Sequence, residues 1–359
     1  MNCTFDENPS ENGEAMHTID LRSDTVTLPS DEMREAACDA ELGDDVFGED
    51  PTVNRLQEYA AGLMGKEAAL LVSSGTMGNL VCMLTHCNRG EEVILGDCSH
   101  MFLNECGSIS TVGGIHPHTI KNQPDGTMSL PDVESAIRGD NDHWPRTRVI
   151  CLENTHNRCS GAPLAPEYMR SVFKLAQARG LKVHLDGARI FNASVALGVD
   201  VKEFTKYVDS VSFCLSKGLA APVGSVVCGS QEFIKEVRRH RKMLGGGMRQ
   251  AGIIAAPGIV ALDKMIARLT EDHDNALRLA KGIAGIPGLS IDVARVRTNI
   301  IYFDITDPSM TAEEIRDGLE NRSIKALPTG PQRFRMVTHY GIDTEDVDRV
   351  IAALKEIMG

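Results

Sequence analysis

Between Glu67 and Gly229, short apolar runs alternate with helix-length stretches, and this rhythm limits the fold more than any other feature of the chain. Ala68–Val72, Glu92–Leu95, Ile115–Thr119, Val149–Glu153, Lys182–Asp186, Ser210–Leu215 and Gly224–Cys228 have the length of buried strands. Helical stretches separate most of them, including Leu130–Ile137, Ile190–Leu197 and Pro166–Arg179, which Gly180 closes. Such alternation predicts an α/β fold, with a mostly parallel sheet covered by helices on both faces. Two further helices are announced upstream by their start signals, Ser30-Asp-Glu and Asp50-Pro51.

After Gly229 the rhythm changes. Gln231–Met243 and Gln250–Asp272 read as helices separated by Gly245-Gly-Gly247, and Asp274–Ala284 continues as helix. Strands near Ile291, Asn299–Phe303, Ile324 and Phe334–Thr338 then mix with helices at Thr311–Glu320 and Glu345–Met358. The expected organisation has three parts: a disordered tail over residues 1–18, a large domain over 19–250, and a linking helix with a small α+β domain over 251–359. The N-terminal part of the large domain is expected to contribute to the site.

A net charge of −13 argues against nucleic acid or an anionic membrane as the main partner. It leaves room for an anionic small molecule, because local arginines can reverse the field within a cleft. Aromatic residues, at 4%, are too few for a base-stacking surface. No apolar run is long enough to span a bilayer. The polar, acidic start of the chain lacks the layout of a secretory or transit signal. The 10 cysteines are scattered without a C-x-x-C pair, which fits reduced thiols and a cytoplasmic location.

Three constellations carry chemistry. Val211-Ser-Phe-Cys-Leu-Ser-Lys-Gly218 reads as a buried strand that stops at Ser216 and Lys217. An amine held there, partly out of water, loses proton affinity and becomes a nucleophile toward carbonyl carbon; a surface loop lysine reads the same way. Ser74-Gly-Thr-Met-Gly-Asn79 joins a strand to a helix, and Gly75 and Thr76 would let backbone N–H groups approach a phosphate monoester. The same residues also suit an ordinary tight turn. Val183-His-Leu-Asp-Gly-Ala-Arg189 places Asp186 at a strand end, where it needs a cationic partner, either a protonated ring nitrogen or Arg189. Lysine for an aldehyde, aspartate for a pyridinium and a glycine-rich turn for a phosphate together suggest a pyridoxal 5'-phosphate site. His116 and His118 form an H-x-H on one side of a strand, but with no further ligand evident no metal is expected.

The motifs IDLRSDTVT (19–27), GDDVFGEDPTVN (43–54), SGTMGN (74–79), ENTHN (153–157), HLDGARIFNA (184–193), CLSKGLAAPVGS (214–225), RKMLGGGMRQ (241–250) and RMVTH (335–339) occur in order along the chain. In these the sequence resembles the low-specificity L-threonine aldolases, which belong to the fold type I, beta-eliminating lyase group of pyridoxal phosphate enzymes. The resemblance implies a mostly parallel seven-stranded sheet in a large domain plus the small α+β domain. It implies retro-aldol cleavage of L-threonine and L-allo-threonine to glycine and acetaldehyde, and a homotetramer built as a pair of dimers with shared sites. By position, Lys217 would anchor the cofactor, Asp186 would pair with its ring nitrogen and His100 would stack on the ring. Gly75, Thr76 and Ser216 would lie at the cofactor, and Lys242 and Arg249 would reach the phosphate region of a neighbouring subunit. Ser23, Arg189 and Arg335 would bind the substrate carboxylate, with Arg189 also at the cofactor. His156 would sit near the β-hydroxyl. His100 and His156 both remain candidates for the base. Racemisation or β-elimination of a small amino acid is the alternative reaction on this scaffold. Phe47 stands where the family often has tyrosine.

Overall fold

A computed structural model describes residues 17–359, so the expected tail lies, up to residue 16, outside the described residues. The described residues form thirteen strands: β1 Ile19–Asp20, β2 Ala68–Val72, β3 Glu92–Gly96, β4 His116–Ile120, β5 Thr147–Glu153, β6 Lys182–Asp186, β7 Ser210–Cys214, β8 Ser225–Gly229, β9 Leu289–Ser290, β10 Ile300–Ile305, β11 Ile324–Lys325, β12 Leu327–Gly330 and β13 Arg333–Val337. Strands β2 to β8 form one seven-stranded sheet in the order β2-β8-β7-β6-β5-β3-β4. Only β8 runs against its neighbours. The mostly parallel sheet read from the sequence is therefore present, with strand limits within two residues of those expected.

Side-chain alternation explains how both faces of this sheet are buried. Leu71, Ile94, Ile150, Leu152 and Val226 point into one apolar cluster, while Leu70, Val72, Val93, Leu95, Val149 and Val227 point into another. The flanking helices start and stop as their sequences dictate. The Asp50 carboxylate accepts the Thr52 and Val53 N–H groups at 3.1 and 2.9 Å, and Gly65, at φ 60°, ends that helix. Ser30 caps the helix Asp31–Cys38 by accepting the Met33 N–H.

A second core gathers the C-terminal elements around the antiparallel sheet β12-β13-β10-β9. Ile19 and Leu21 also belong to this core, and β1 pairs in parallel with β11. The described residues thus start in this second core, where β1 and β11 form a two-stranded sheet of their own, and then cross to the large sheet, which carries Arg22, Ser23 and Asp24 between the two. Strand β12 was not expected from the sequence. Pro328 and Gly330 interrupt its apolar pattern, and its pairing with β13 carries an irregularity at that point, as suits an edge strand. The long helical stretch starts at Gly252, contains Pro257, passes through a π turn at Ala261–Met265 and ends at Ala284. Among the described residues no helix is long and apolar enough to cross a membrane.

Candidate active site

The carboxyl ends of the parallel strands share one edge of the large sheet, the edge where open α/β sheets bind ligands. Gly75 and Thr76 follow β2, His100 follows β3, His156 follows β5, Asp186 ends β6 and Lys217 lies just beyond β7. Neighbouring strands put Glu153 beside Asp186, and Asp186 beside Ser212. Residues far apart in sequence are thus brought to one place by strand register alone.

The helix Gly75–His86 opens at this edge, capped by Ser74, whose hydroxyl accepts the Met77 N–H at 3.2 Å. Gly75 lies so close to β7 that a Cβ there would meet Cys214 Sγ at 3.0 Å. The turn is therefore pressed against the sheet, with its first N–H groups at a helix start that favours an anion. Lys217 is half-buried, and its carbonyl accepts the Thr27 hydroxyl at 3.2 Å. Ser216 donates to the Gly224 carbonyl at 3.4 Å.

Asp186 is buried and makes no ion pair among the described residues. Its Oδ2 accepts Asn79 Nδ2 at 2.9 Å and its Oδ1 accepts the Ala188 N–H at 3.1 Å. Arg189, the alternative partner considered from the sequence, is instead engaged with Asp24. The same Asn79 Nδ2 reaches Glu105 Oε1 at 2.9 Å, and His100 Nδ1 lies 2.8 Å from that oxygen. The hydrogen bond to the Glu105 carboxylate, offset in part by burial, raises the His100 imidazole above its ordinary value. Burial raises the Glu105 carboxyl, and its Oε2 is buried without a hydrogen-bond partner. One side-chain nitrogen or oxygen from each of His100, Glu105 and Asp186 lies within 4.8 Å of the others. The Asn79 amide donates into both carboxylates of that group, which is the arrangement of a proton network.

Arg189 and Asp24 form a buried fork-to-fork pair, with Nε–Oδ2 and Nη2–Oδ1 both at 2.6 Å. Burial alone would raise the Asp24 carboxyl; Arg189, with Lys217 and Arg335 nearby, more than offsets it and holds that group far below the ordinary range. Arg335 donates to Asn157 Oδ1 at 2.9 Å, its Nε is buried without a partner, and burial together with the nearby Arg189 lowers its proton affinity. Ser23 adjoins the pair through Asp24. Ser23, Arg189 and Arg335 are therefore brought together, but the Nε–Nη2 edge of Arg189 already belongs to Asp24. An incoming carboxylate is therefore left the opposite end of Arg189, Nη1 together with the second hydrogen of Nη2.

His156 is buried with neither ring nitrogen hydrogen-bonded. Gly126, at φ 84°, makes room for it, since a Cβ there would lie 2.8 Å from His156 Cβ. Glu153 braces both histidine segments by accepting the His100 N–H at 2.7 Å and the Asn157 N–H at 2.9 Å. An open, buried imidazole beside a braced loop calls for an outside hydrogen-bond partner.

Lys242 and Arg249 lie on a flank of the chain, where Arg249 pairs with Asp44 at 2.8 Å and the Lys242 stem lies over Gly247. Among the described residues no hydrogen bond or ion pair joins them to Lys217 or Asp186. Phe47 is 73% exposed in the neighbouring turn. His116 and His118 do share a face, and the structure adds the acidic neighbour that the spacing did not show. Glu92 lies 3.8 Å from His116 and 3.4 Å from His118, but its carboxylate already accepts Arg138 at 2.7 Å and Thr147 at 2.9 Å. Asp24, Asn79 and Glu105 were not singled out from the sequence. Asp24 and Asn79 stand inside quoted motifs, and Glu105 follows His100 by five residues.

The beta-eliminating lyase family matches residues 20–306. Low-specificity L-threonine aldolase 1 of Arabidopsis thaliana is 51% identical over 96% of this chain and 97% of its own length. The low specificity L-threonine aldolase of Escherichia coli K12 is 47% identical over 93% of this chain and 97% of its own. A threonine aldolase structure from Leishmania major superposes with a TM-score of 0.80 at 17% identity, covering 95% of this chain and 100% of that one.

Proposed function

Because the chain belongs to the beta-eliminating lyase family and, within it, to the low-specificity L-threonine aldolases, we propose that it cleaves L-threonine and L-allo-threonine to glycine and acetaldehyde. Related β-hydroxy-α-amino acids would be cleaved to glycine and the matching aldehyde. The proposed cofactor is pyridoxal 5'-phosphate. Asp186 is the observation that carries this reading. A buried carboxylate with two N–H donors and no ion pair among the described residues needs a cation, and a protonated ring nitrogen supplies one. The other residues fit the same group. Lys217 offers an amine, the helix start at Gly75 and Thr76 offers N–H groups to a phosphate, and Ser216 stands beside the amine. His100 would lie against the ring. When bound, the cofactor supplies the electron sink that no side chain provides.

The chain's own residues supply the rest. Arg335 and the free end of Arg189, with Ser23, hold the substrate carboxylate and fix the orientation of the bond to be broken. His156, with two buried open nitrogens, receives the β-hydroxyl, and His156 or His100 accepts its proton. Burial of the arginine cluster keeps water from competing for the carboxylate.

Sharing of sites between copies would explain Lys242, Arg249, the exposed Phe47 and Met243, and the half-buried Val46 near them. We propose a homotetramer, a pair of dimers, in which Lys242 and Arg249 reach the partner's phosphate region. The proposed place is the cytoplasm, in threonine breakdown and glycine formation. Arg249→Ala should then weaken cofactor retention although Lys217 and Asp186 stay intact in the same chain; unchanged retention would contradict the shared site. The reaction itself is tested by product analysis. Release of acetaldehyde and glycine from L-threonine and L-allo-threonine is expected. Racemised alanine or serine without any acetaldehyde would sink the aldolase reading in favour of the racemase alternative.

A further inference from the structure

We propose that Asn79 is a positioning residue that fixes the donor direction of a buried hydrogen-bond chain from His86 to Glu105, where His100 donates from the other side, and that this arrangement leaves His100 Nε2 as a free proton acceptor. The proposal rests on the aldolase reading only for the use to which His100 is put.

The direction follows from which atoms can donate. Asn79 Nδ2 lies 2.9 Å from both Glu105 Oε1 and Asp186 Oδ2. An amide oxygen in that place would face two carboxylates, so the nitrogen must be there and its two hydrogens are both used. The amide oxygen then points the other way, where Ser212 Oγ donates at 2.7 Å and His184 Nε2 lies 3.2 Å away. His184 must donate from Nε2, which leaves Nδ1 to accept from Ser210 Oγ at 2.8 Å. Ser210 Oγ in turn accepts His86 Nε2 at 2.7 Å. Each ring carries one proton, as burial requires: it pushes His184 down to about 4 and His86 to about 3.

At the other end, Glu105 Oε1 already accepts an amide hydrogen, so it presents a lone pair to His100. His100 Nδ1 therefore donates at 2.8 Å. A neutral imidazole with its proton on Nδ1 keeps the lone pair on Nε2. The charged groups around this ring are Glu105, Asp186 and Lys217, with Glu153 on its backbone N–H. Asn79 also fixes the carboxylate plane of Asp186. One amide thus sets both the carboxylate proposed to face the cofactor ring and the tautomer of the histidine beside it. Hydrogen-bond partners behind metal-bound imidazoles orient those rings by the same logic.

The test uses the full-length, cofactor-loaded protein. Nitrogen-15 NMR of the His100 ring, assigned by difference from His100→Ala, should show the proton on Nδ1 at a pH above the ring's titration. A proton on Nε2 would overturn the proposal, whatever the variants do. Asn79→Asp replaces the donor by a third carboxylate and should raise the apparent pKa of the acid limb of kcat/KM, whereas Glu105→Gln should lower it, each by about one pH unit, a tenfold change in proton affinity. Cofactor absorbance against pH should move in Asn79→Asp as well. If both variants hold cofactor and neither limb moves, Asn79 is only structural and the proposal fails. If Asn79→Asp does not load cofactor, Glu105→Gln and the wild-type tautomer decide it. Failure of the wild-type protein to release acetaldehyde would count against the aldolase reading alone, since the tautomer is read without substrate.

Discussion

Two buried arginine–aspartate pairs tie the N-terminal segment to the large sheet, and they do different things. Arg189 meets Asp24 with both teeth of its fork at 2.6 Å. Arg241 spends one nitrogen on Asp45 at 2.7 Å and another on the Leu71 carbonyl at 2.7 Å. Removing one partner of such a pair leaves an uncompensated buried charge, so each is held in place by the other. The surroundings differ. Asp24 faces three cations, Arg189, Arg335 and Lys217, so this group of four keeps a positive surplus. Arg241 has one anion and one neutral carbonyl for itself. The first arrangement can take up a further carboxylate, and the second is a strap.

Arg189→Met should give the largest effect. It should cost roughly 3–5 kcal/mol of stability and lower kcat/KM by about a hundredfold or more through lost orientation. Arg241→Met should cost a similar amount in a denaturant melt, yet leave kcat/KM of the folded fraction within about threefold, as expected for independent sites. Equal kinetic damage from both would erase the distinction.

A gentler version exchanges the aspartates. Asp24→Asn keeps the shape and adds one positive charge to the cluster. KM for the amino acid should not rise, while kcat falls about tenfold because the guanidinium is held less firmly. Asp45→Asn should leave both constants unchanged. Steady-state kinetics on the two variants side by side would settle the matter.

Asp272 sharpens the comparison from the other side. It is fully buried, but its arginine, Arg268, sits on its own helix at 2.7 Å and does not offset the burial, so its carboxyl is pushed up to about 6. A raised folded-state value means the folded chain holds this proton more tightly. Stability from this group therefore grows as pH falls from about 6 toward the ordinary 3.8. Asp24 has the opposite sign: its contribution is complete above 3.8 and is lost as pH falls below that. Urea midpoints between pH 7 and 5 should be less pH-dependent in Asp272→Asn than in the wild type. The same slope in both would show that Arg268 does compensate the charge.

The sequence disclosed what depends on periodicity and on strand ends. The seven strands, the half-buried amine at Lys217 and the buried Asp186 follow from apolar runs and the residues that close them. It did not disclose what depends on register between strands. Asn79, Glu105 and Asp24 are polar residues in ordinary helical or turn positions, and their importance arises from partners 26, 107 and 165 residues away. The H-x-H pair makes the same point, because its acidic neighbour Glu92 belongs to the adjacent strand. The resemblance implies Arg189 as a substrate ligand; that its Nε–Nη2 edge is already occupied by Asp24 is visible only in three dimensions.

The central claim is that Lys217 anchors a cofactor through which this chain cleaves L-threonine. The direct measurement is the visible absorbance of purified wild-type and Lys217→Ala protein, taken with the yield of acetaldehyde and glycine from L-threonine. A coloured wild type that releases both products in equal amounts, and a variant that retains neither the absorbance of the lysine-bound cofactor nor the cleavage, is the predicted result. Undiminished acetaldehyde release by Lys217→Ala would contradict it.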